Sequence, residues 1–378
     1  MTEPAEPPVG RAIADSSRSA ASPPEPAPPL LVAAAVVVPI LTTGLILLVA
    51  GDTLGYDFRA YLDAARRLMD GGALYETGVT SSGVVGLFQY PPPVAVALVP
   101  IALLPETLAP TLVWLGLLLA ALAGAVVALP VRAWVRWAVL LVAGLTWPVL
   151  YAVKLGQVGP LLVLLFALAW RWLDRPVPLG LSIAAGTILK LQPVLLVPWA
   201  LATGRWRAAA VATGAILVIC AASVPIVGTG AWLDWIGLIR GVGATVETAH
   251  AVSPGAIALG LGADSTVATA IQWAFVAAVA IVTILAWLRR DAASSLVVTA
   301  VASQCVSPLV WDHYAVVLLL PVALVLDRLG PRAWPIALLP IAGWLPAPVY
   351  PILFAVGLAA AWGAGRPRGA ISLRTLAA

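Results

Sequence analysis

Long apolar runs divided by short polar breaks fill most of this chain, and the pattern predicts membrane-crossing helices, because a hydrocarbon core takes about 20 helical residues. The first run covers 30–50. It is too long for a signal-peptide core and follows an acidic, proline-rich stretch, so it reads as a first transmembrane helix. Further runs lie at 94–104, 109–129, 135–152, 157–173, 179–202, 207–227, 268–288, 294–310, 314–327, 332–345 and 347–363. The fold class predicted is an all-α polytopic membrane protein. Several runs are short or broken by proline, and such helices are tolerated at membrane depth only when buried in protein or lining a polar cavity. The pattern therefore points to a site inside the bundle.

One segment has a different period. After Gly55-Tyr56-Asp57, the residues Phe58, Leu62, Ala65 and Met69 recur at helical spacing, while Arg59, Asp63, Arg66, Arg67 and Asp70 take the other faces. That is a short amphipathic helix lying at a membrane surface. Asp57 stands where an N-cap is expected, although position 60 carries no Glu or Gln to complete a capping box. A cap and a catalytic carboxylate are both open readings, and they are compatible.

The remaining organisation follows from the breaks. Residues 1–29 predict a disordered cytoplasmic tail and 366–378 a cytoplasmic C-terminal tail, with one transmembrane domain over 30–365 between them. Outer loops are expected near 51–91, including the Gly/Ser/Thr-rich stretch from Gly71 to Gly86, and near 228–267. The second loop holds Trp232, Asp234, Trp235, Arg240, Glu247 and His250, and predicts another surface helix. If 94–104 and 109–129 both cross, Arg132 and Arg136 land outside and Gly156-Gln157 inside. A re-entrant short segment removes that conflict.

Composition confirms the class. The chain of 378 residues is 62% hydrophobic and 10% charged, with mean hydropathy +1.01, against about 45–50% and about 25% in soluble domains. The net charge of +4 is carried by arginines, among them Arg132, Arg136, Arg171, Arg175, Arg205, Arg207, Arg289, Arg290, Arg328, Arg332, Arg366 and Arg368, gathered at the ends of apolar runs. That placement marks cytoplasmic loops. No continuous basic face exists, which excludes nucleic-acid binding. Cys220 and Cys305 sit inside apolar runs and form neither a disulfide framework nor a metal site.

Ionisable residues stranded among apolar ones are the candidates for chemistry, because burying them in a membrane is costly. Lys154 and Lys190 are the only lysines, set beside Gln157 and Gln192. Compact ammonium groups in such places suit an anionic ligand such as a phosphate, although either could instead snorkel to the interface. Ser307-Pro308-Leu309-Val310-Trp311-Asp312-His313-Tyr314 is a third polar break, in which Asp312 could face an aqueous cavity or cap the next helix. Two histidines without metal-ligand spacing make no zinc site.

Tyr56-Asp57-Phe58 with Tyr61 and Ala64-Ala65, Gly72-x-Leu74-Tyr75, Phe88-x-Tyr90-Pro91-Pro92, Gly156-Gln157, Lys190-x-x-Pro193 and Ser307-Pro308-x-x-Trp311-Asp312-His313 occur in the order found in glycosyltransferase family 87, of the GT-C superfamily. The resemblance covers roughly residues 30–330. It implies a GT-C-type bundle of about 11–12 transmembrane helices with an amphipathic helix in the first outer loop. It also implies a multi-pass plasma-membrane enzyme whose active site faces the extracytoplasmic side. The implied reaction is transfer of a hexose, mannose first, from a polyprenyl-phosphate donor to a glycolipid or glycan acceptor among membrane lipids, with inversion. Asp57 is the implied catalytic base, and Lys190, His313, Asp312, Gln157, Tyr90 and Arg59 are the candidates for donor phosphate and sugar. No cofactor is required, with Asp312 the second acid if a divalent cation takes part. The alternatives are an arabinofuranosyltransferase of the same family and a polytopic transporter or lipid flippase. Against the transporter, no internal repeat relates the two halves. Of the sixteen tryptophans, Trp147, Trp232, Trp235 and Trp311 are candidates to stack on sugar rings.

Overall fold

The computed structural model describes residues 26–76, 86–241, 248, 250–289, 291–307 and 309–365. The expected C-terminal tail, nearly all of the expected N-terminal tail, most of the Gly71 to Gly86 loop and Glu247 lie outside the described residues. In order come α1 (Pro29–Val49), α2 (Tyr56–Met69), α3 (Pro92–Ala102), α4 (Ala109–Ala128), α5 (Ala133–Leu145), α6 (Trp147–Leu155), α7 (Gly159–Arg171) and α8 (Pro176–Leu189). A 3-10 turn (Gln192–Leu195) leads into α9 (Leu196–Ala202), followed by α10 (Trp206–Gly241), α11 (Pro254–Gly260), α12 (Ser265–Arg289) and α13 (Ala292–Cys305). A second 3-10 turn (Asp312–Leu318) continues as α14 (Leu319–Leu329), and short turns around α15 (Leu338–Ile341) precede α16 (Tyr350–Gly363).

The chain is an all-α polytopic membrane protein. Among the described residues α1, α4, α10 and α12 are long and apolar enough to cross a membrane, and α5 with α6 makes a fifth span bent by 67°. The other apolar helices are shorter, so the expected eleven or twelve spans divide into four or five of full length and a set of partial ones. Prolines explain several of the breaks. Pro148 has no N–H with which to extend the α5 ladder into α6. Pro193 cannot donate to the Leu189 carbonyl, so α8 stops and Lys190 takes extended backbone (φ −158°, ψ 131°). In α10 the helix is interrupted at Gly228 (φ 79°), and its second part supplies the surface helix expected in the 228–267 break.

Two faces emerge from the contacts. The start of α4 lies beside α2, where Thr111 approaches Gly55, and Arg66 of α2 pairs with Glu106 at 3.5 Å. α3 packs along α2, and at 11 residues it is about 16 Å long, too short to cross. Of the two short segments weighed from the arginine count, α3 is thus the shorter helix and the one packed along α2. α4 then carries the chain away from Asp57 to Arg132, and the bent α5–α6 pair returns it to Gly156 and Gln157. The far face is tied by charge: Arg132 meets Asp327 at 3.3 Å, and the Arg328 guanidinium meets both oxygens of Asp291 at 2.9 and 3.1 Å.

The partial helices form the centre. Residues Ser294–Cys305 of α13 and Leu319–Leu326 of α14 are all buried; the α14 stretch is apolar on every side, and the Ser and Thr hydroxyls of α13 are hydrogen-bonded within the bundle. α1 and the first part of α10 carry Leu41, Leu45, Leu217 and Val218 exposed, a surface suited to lipid. The short central helices end together beneath α2, leaving polar loop residues around one space.

Candidate active site

α2 is fixed against the end of α6 by two glycines. Gly55 (φ 66°) donates its N–H to the Lys154 carbonyl at 2.8 Å. Gly156 (φ 75°) ends α6 in the left-handed conformation, and a Cβ there would stand 2.6 Å from Phe58 Cβ. That close approach brings Gln157 to Asp57, and Gln157 Nε2 donates to Asp57 Oδ2 at 2.5 Å. Asp57 is the second residue of α2, whose N-cap is Gly55, with no side-chain capping bond. The cap reading is thereby corrected: the carboxylate points to Gln157 and the cavity, not to α2's own N–H groups.

Gln157 is held in turn. Its Oε1 accepts from Tyr90 Oη at 3.1 Å, and Tyr61 Oη lies 2.8 Å from Tyr90 Oη. An ionised carboxylate only accepts, so the amide presents nitrogen to Asp57 and oxygen to Tyr90, and Tyr61 then donates to Tyr90. Every donor in the chain Tyr61–Tyr90–Gln157 is aimed at Asp57. Tyr75 Oη donates to the Tyr90 carbonyl at 2.7 Å and fixes the backbone of that tyrosine.

Asp57, Gln157, Lys190 and His313 line one cavity of about 500 Å³, with Tyr90, Trp235 and Trp311 also on its wall. Lys190 Nζ lies 3.3 Å from the Tyr314 ring centroid, a cation–π contact that keeps the ammonium at the cavity instead of snorkelling away. His313 is buried, and among the described residues neither ring nitrogen has a hydrogen-bond partner. Its Nδ1 stands 3.6 Å from Asp312 Oδ1, beyond hydrogen-bonding distance. Unpartnered buried donors on a cavity wall call for a ligand.

Asp312 is the anchor of the opposite wall. Its Oδ2 accepts from Trp147 Nε1 at 3.1 Å and meets His250 Nδ1 at 2.9 Å, while Oδ1 accepts the His313 N–H at 2.7 Å. Asp312 is thus inside the 3-10 turn and bonded to neighbouring elements, not a cap for the helix that follows. Asp57 belongs to the surface helix, where burial pushes its carboxyl above the usual aspartate range, opposed by His313, the Gln157 bond and Lys190.

Arg59 is not brought in. Two residues after Asp57, it falls on the opposite side of α2, where its guanidinium donates to the Asp52 carbonyl at 2.6 Å. Of the tryptophan candidates, Trp147 supports Asp312, and Trp232 donates to Ser223 Oγ at 3.2 Å. His250 is the residue that sequence reasoning did not select. The pairing of Ala251 with Trp311 places it beside Asp312, 62 residues away. Its status as one of two histidines was the only available signal.

The fold is an all-α membrane bundle with Asp57, Lys190, His250 and His313 around one cavity. The family model for glycosyltransferase family 87 matches residues 88–310, and the chain belongs to that family. It is a membrane glycosyltransferase. No curated protein and no solved structure matches the chain. The match includes Tyr90, Gln157 and Lys190, and Asp57, Asp312 and His313 lie beyond its ends. Family membership sets aside the transporter and flippase alternative.

Proposed function

We propose that this protein transfers a hexose, mannose first, from a polyprenyl-phosphate donor to a lipid-linked or glycan acceptor, with inversion and with Asp57 as general base. The observation that carries the reading is the Gln157-oriented carboxylate of Asp57 sharing one cavity with Lys190 and His313. The acceptor oxygen bonds to sugar C1 as the C1–O bond to phosphate breaks. The electron pair leaves with polyprenyl phosphate, and the acceptor proton passes to Asp57. Lys190 and His313 face the departing charge, where fixed donors are most effective.

The reaction needs no cofactor. Charge alone does not orient the chain, since Arg59, Arg66 and Arg67 share the segment of Asp57; the family resemblance is the ground for taking the active site to face the extracytoplasmic side of the plasma membrane. The catalytic domain extends over 30–365.

The test is transfer of labelled sugar from polyprenyl-phosphate-mannose, and separately from polyprenyl-phosphate-arabinose, by membranes carrying wild type or Asp57→Asn. Mannose transfer that falls by about 10²–10⁴ in the variant supports the reading. Transfer of arabinose alone moves the donor assignment to the arabinofuranosyl alternative. Retained turnover in Asp57→Asn removes Asp57 as base.

A further inference from the structure

The Asp312–His250 pair has a defined protonation pattern. Trp147 Nε1 and the His313 backbone N–H can only donate, and both donate to Asp312, as suits an ionised carboxylate. The hydrogen between Asp312 Oδ2 and His250 Nδ1, 2.9 Å apart, therefore belongs to His250. What remains variable is Nε2, which has no partner among the described residues. The ring cannot turn readily: it stacks on Tyr151 at 4.8 Å and 28°, and Tyr151 stacks on Trp147 at 4.7 Å and 15°. The backbone is pinned as well, because the Asp312 N–H donates to the His250 carbonyl at 3.2 Å. The side chain is 45% exposed, on the wall of the cavity that holds Asp57 and Lys190.

We propose that His250, as an imidazolium backed by Asp312, binds the phosphodiester of the donor through Nε2–H and takes up charge on the leaving phosphate. This rests on the transferase reading above. His250 passes no proton: its hydrogen bond strengthens as the C1–O electron pair moves onto the phosphate, while the acceptor proton goes to Asp57. The charged groups facing the ring are Asp312, which favours the imidazolium, and Lys154 on α6, which opposes it; Tyr151 is the titratable side chain stacked on it. The Asp312 hydrogen bond prevails and holds His250 above the ordinary histidine value. A histidine so placed keeps its charge to higher pH than an ordinary one and loses its hold on an anion as the pH rises through its value.

The experiment measures binding of polyprenyl-phosphate-mannose to the purified full-length protein between pH 6 and 9, alongside sugar transfer by the same preparation. The probe is a phosphodiester, with one negative charge throughout that range, so a pH dependence belongs to the protein. Wild type is expected to bind about tenfold or more weakly at pH 9 than at pH 6, because a charge-assisted hydrogen bond is lost. His250→Gln should bind weakly at both, and His250→Lys, which stays charged, should bind tightly at both. A His250→Gln protein that keeps the wild-type pH dependence overturns the proposal, as does a His250→Lys protein that loses affinity with pH as wild type does. If wild type transfers no sugar while its binding still follows His250, the transferase reading fails and the assignment of His250 stands. If transfer is present and binding ignores His250, the converse holds.

Discussion

Replacing Gln157 by leucine tests whether the orientation of Asp57 matters. The substitution keeps approximate side-chain volume, removes the 2.5 Å bond to Asp57 Oδ2, and leaves the Tyr90 hydroxyl without its acceptor at 3.1 Å. A hydrogen bond to a charged group is worth about 1.5–3 kcal/mol. Asp57 is half-buried, so solvent compensates part of that and the lower end applies. About 1.5 kcal/mol corresponds to roughly a tenfold fall in kcat/KM on the pH plateau. The bond favours the ionised carboxylate, so without it Asp57 titrates higher still. With Asp57 as the proposed base, activity needs its ionised form and falls as the pH drops through its value; the acidic limb of Gln157→Leu should therefore lie above that of wild type. Tyr90→Phe removes only bonds between neutral groups and should show a smaller loss and a smaller displacement. The assay is kcat/KM for sugar transfer across pH in purified protein. A Gln157→Leu enzyme with the wild-type plateau and limb would show that Asp57 is oriented by something else, or is not the base.

Lys190→Ala should raise KM for the donor more than it lowers kcat, read from donor titrations at saturating acceptor, because the cation serves the donor anion in both ground and transition states. In wild type the pH–rate profile should be bell-shaped. Its acidic limb should follow Asp57, raised by burial, and its alkaline side should include the loss of the His250 imidazolium, raised by Asp312; His250→Gln should change the alkaline side and leave the acidic limb in place. Gly156→Ala puts a Cβ 2.6 Å from that of Phe58 at φ 75°. It should cost about 1–3 kcal/mol, read as a lower thermal midpoint in detergent, with a loss of transfer as Gln157 moves.

Much of the site was legible because membranes penalise stray polarity. Lys190 and Gln157 stood out against apolar runs, and the structure brings both to the cavity for the reasons that made them visible. Arg59 failed as a candidate because proximity to Asp57 in sequence is not proximity on a helix: two positions turn a side chain to the other side. Whether Asp57 caps α2 could not be read until the helix start was known, since one residue of register decides which N–H groups it can reach. His250 was invisible for a different reason. Its partner Asp312 is 62 residues distant, and the pairing is made by Ala251 against Trp311, which no local pattern encodes. Likewise the 94–104 run looked like one more span, and only its packing along α2, which no local pattern encodes, shows that it stays beside that helix.

The family match begins at Phe88, after α2, so membership alone says nothing about Asp57. The structure supplies that link physically. Gly55 is bonded to Lys154, Gly156 leaves no room for more than a hydrogen against Phe58, and Trp114 donates to the Gly156 carbonyl at 2.7 Å while stacking on Phe58 at 5.1 Å. α2 is thus locked to the Gly156-Gln157 turn by backbone and by aromatic packing. A carboxylate held against residues inside the matched region is the physical ground for the proposal that Asp57 works with them. Loss of function from Gly156→Ala, with Asp57 intact, would be the direct sign of that coupling.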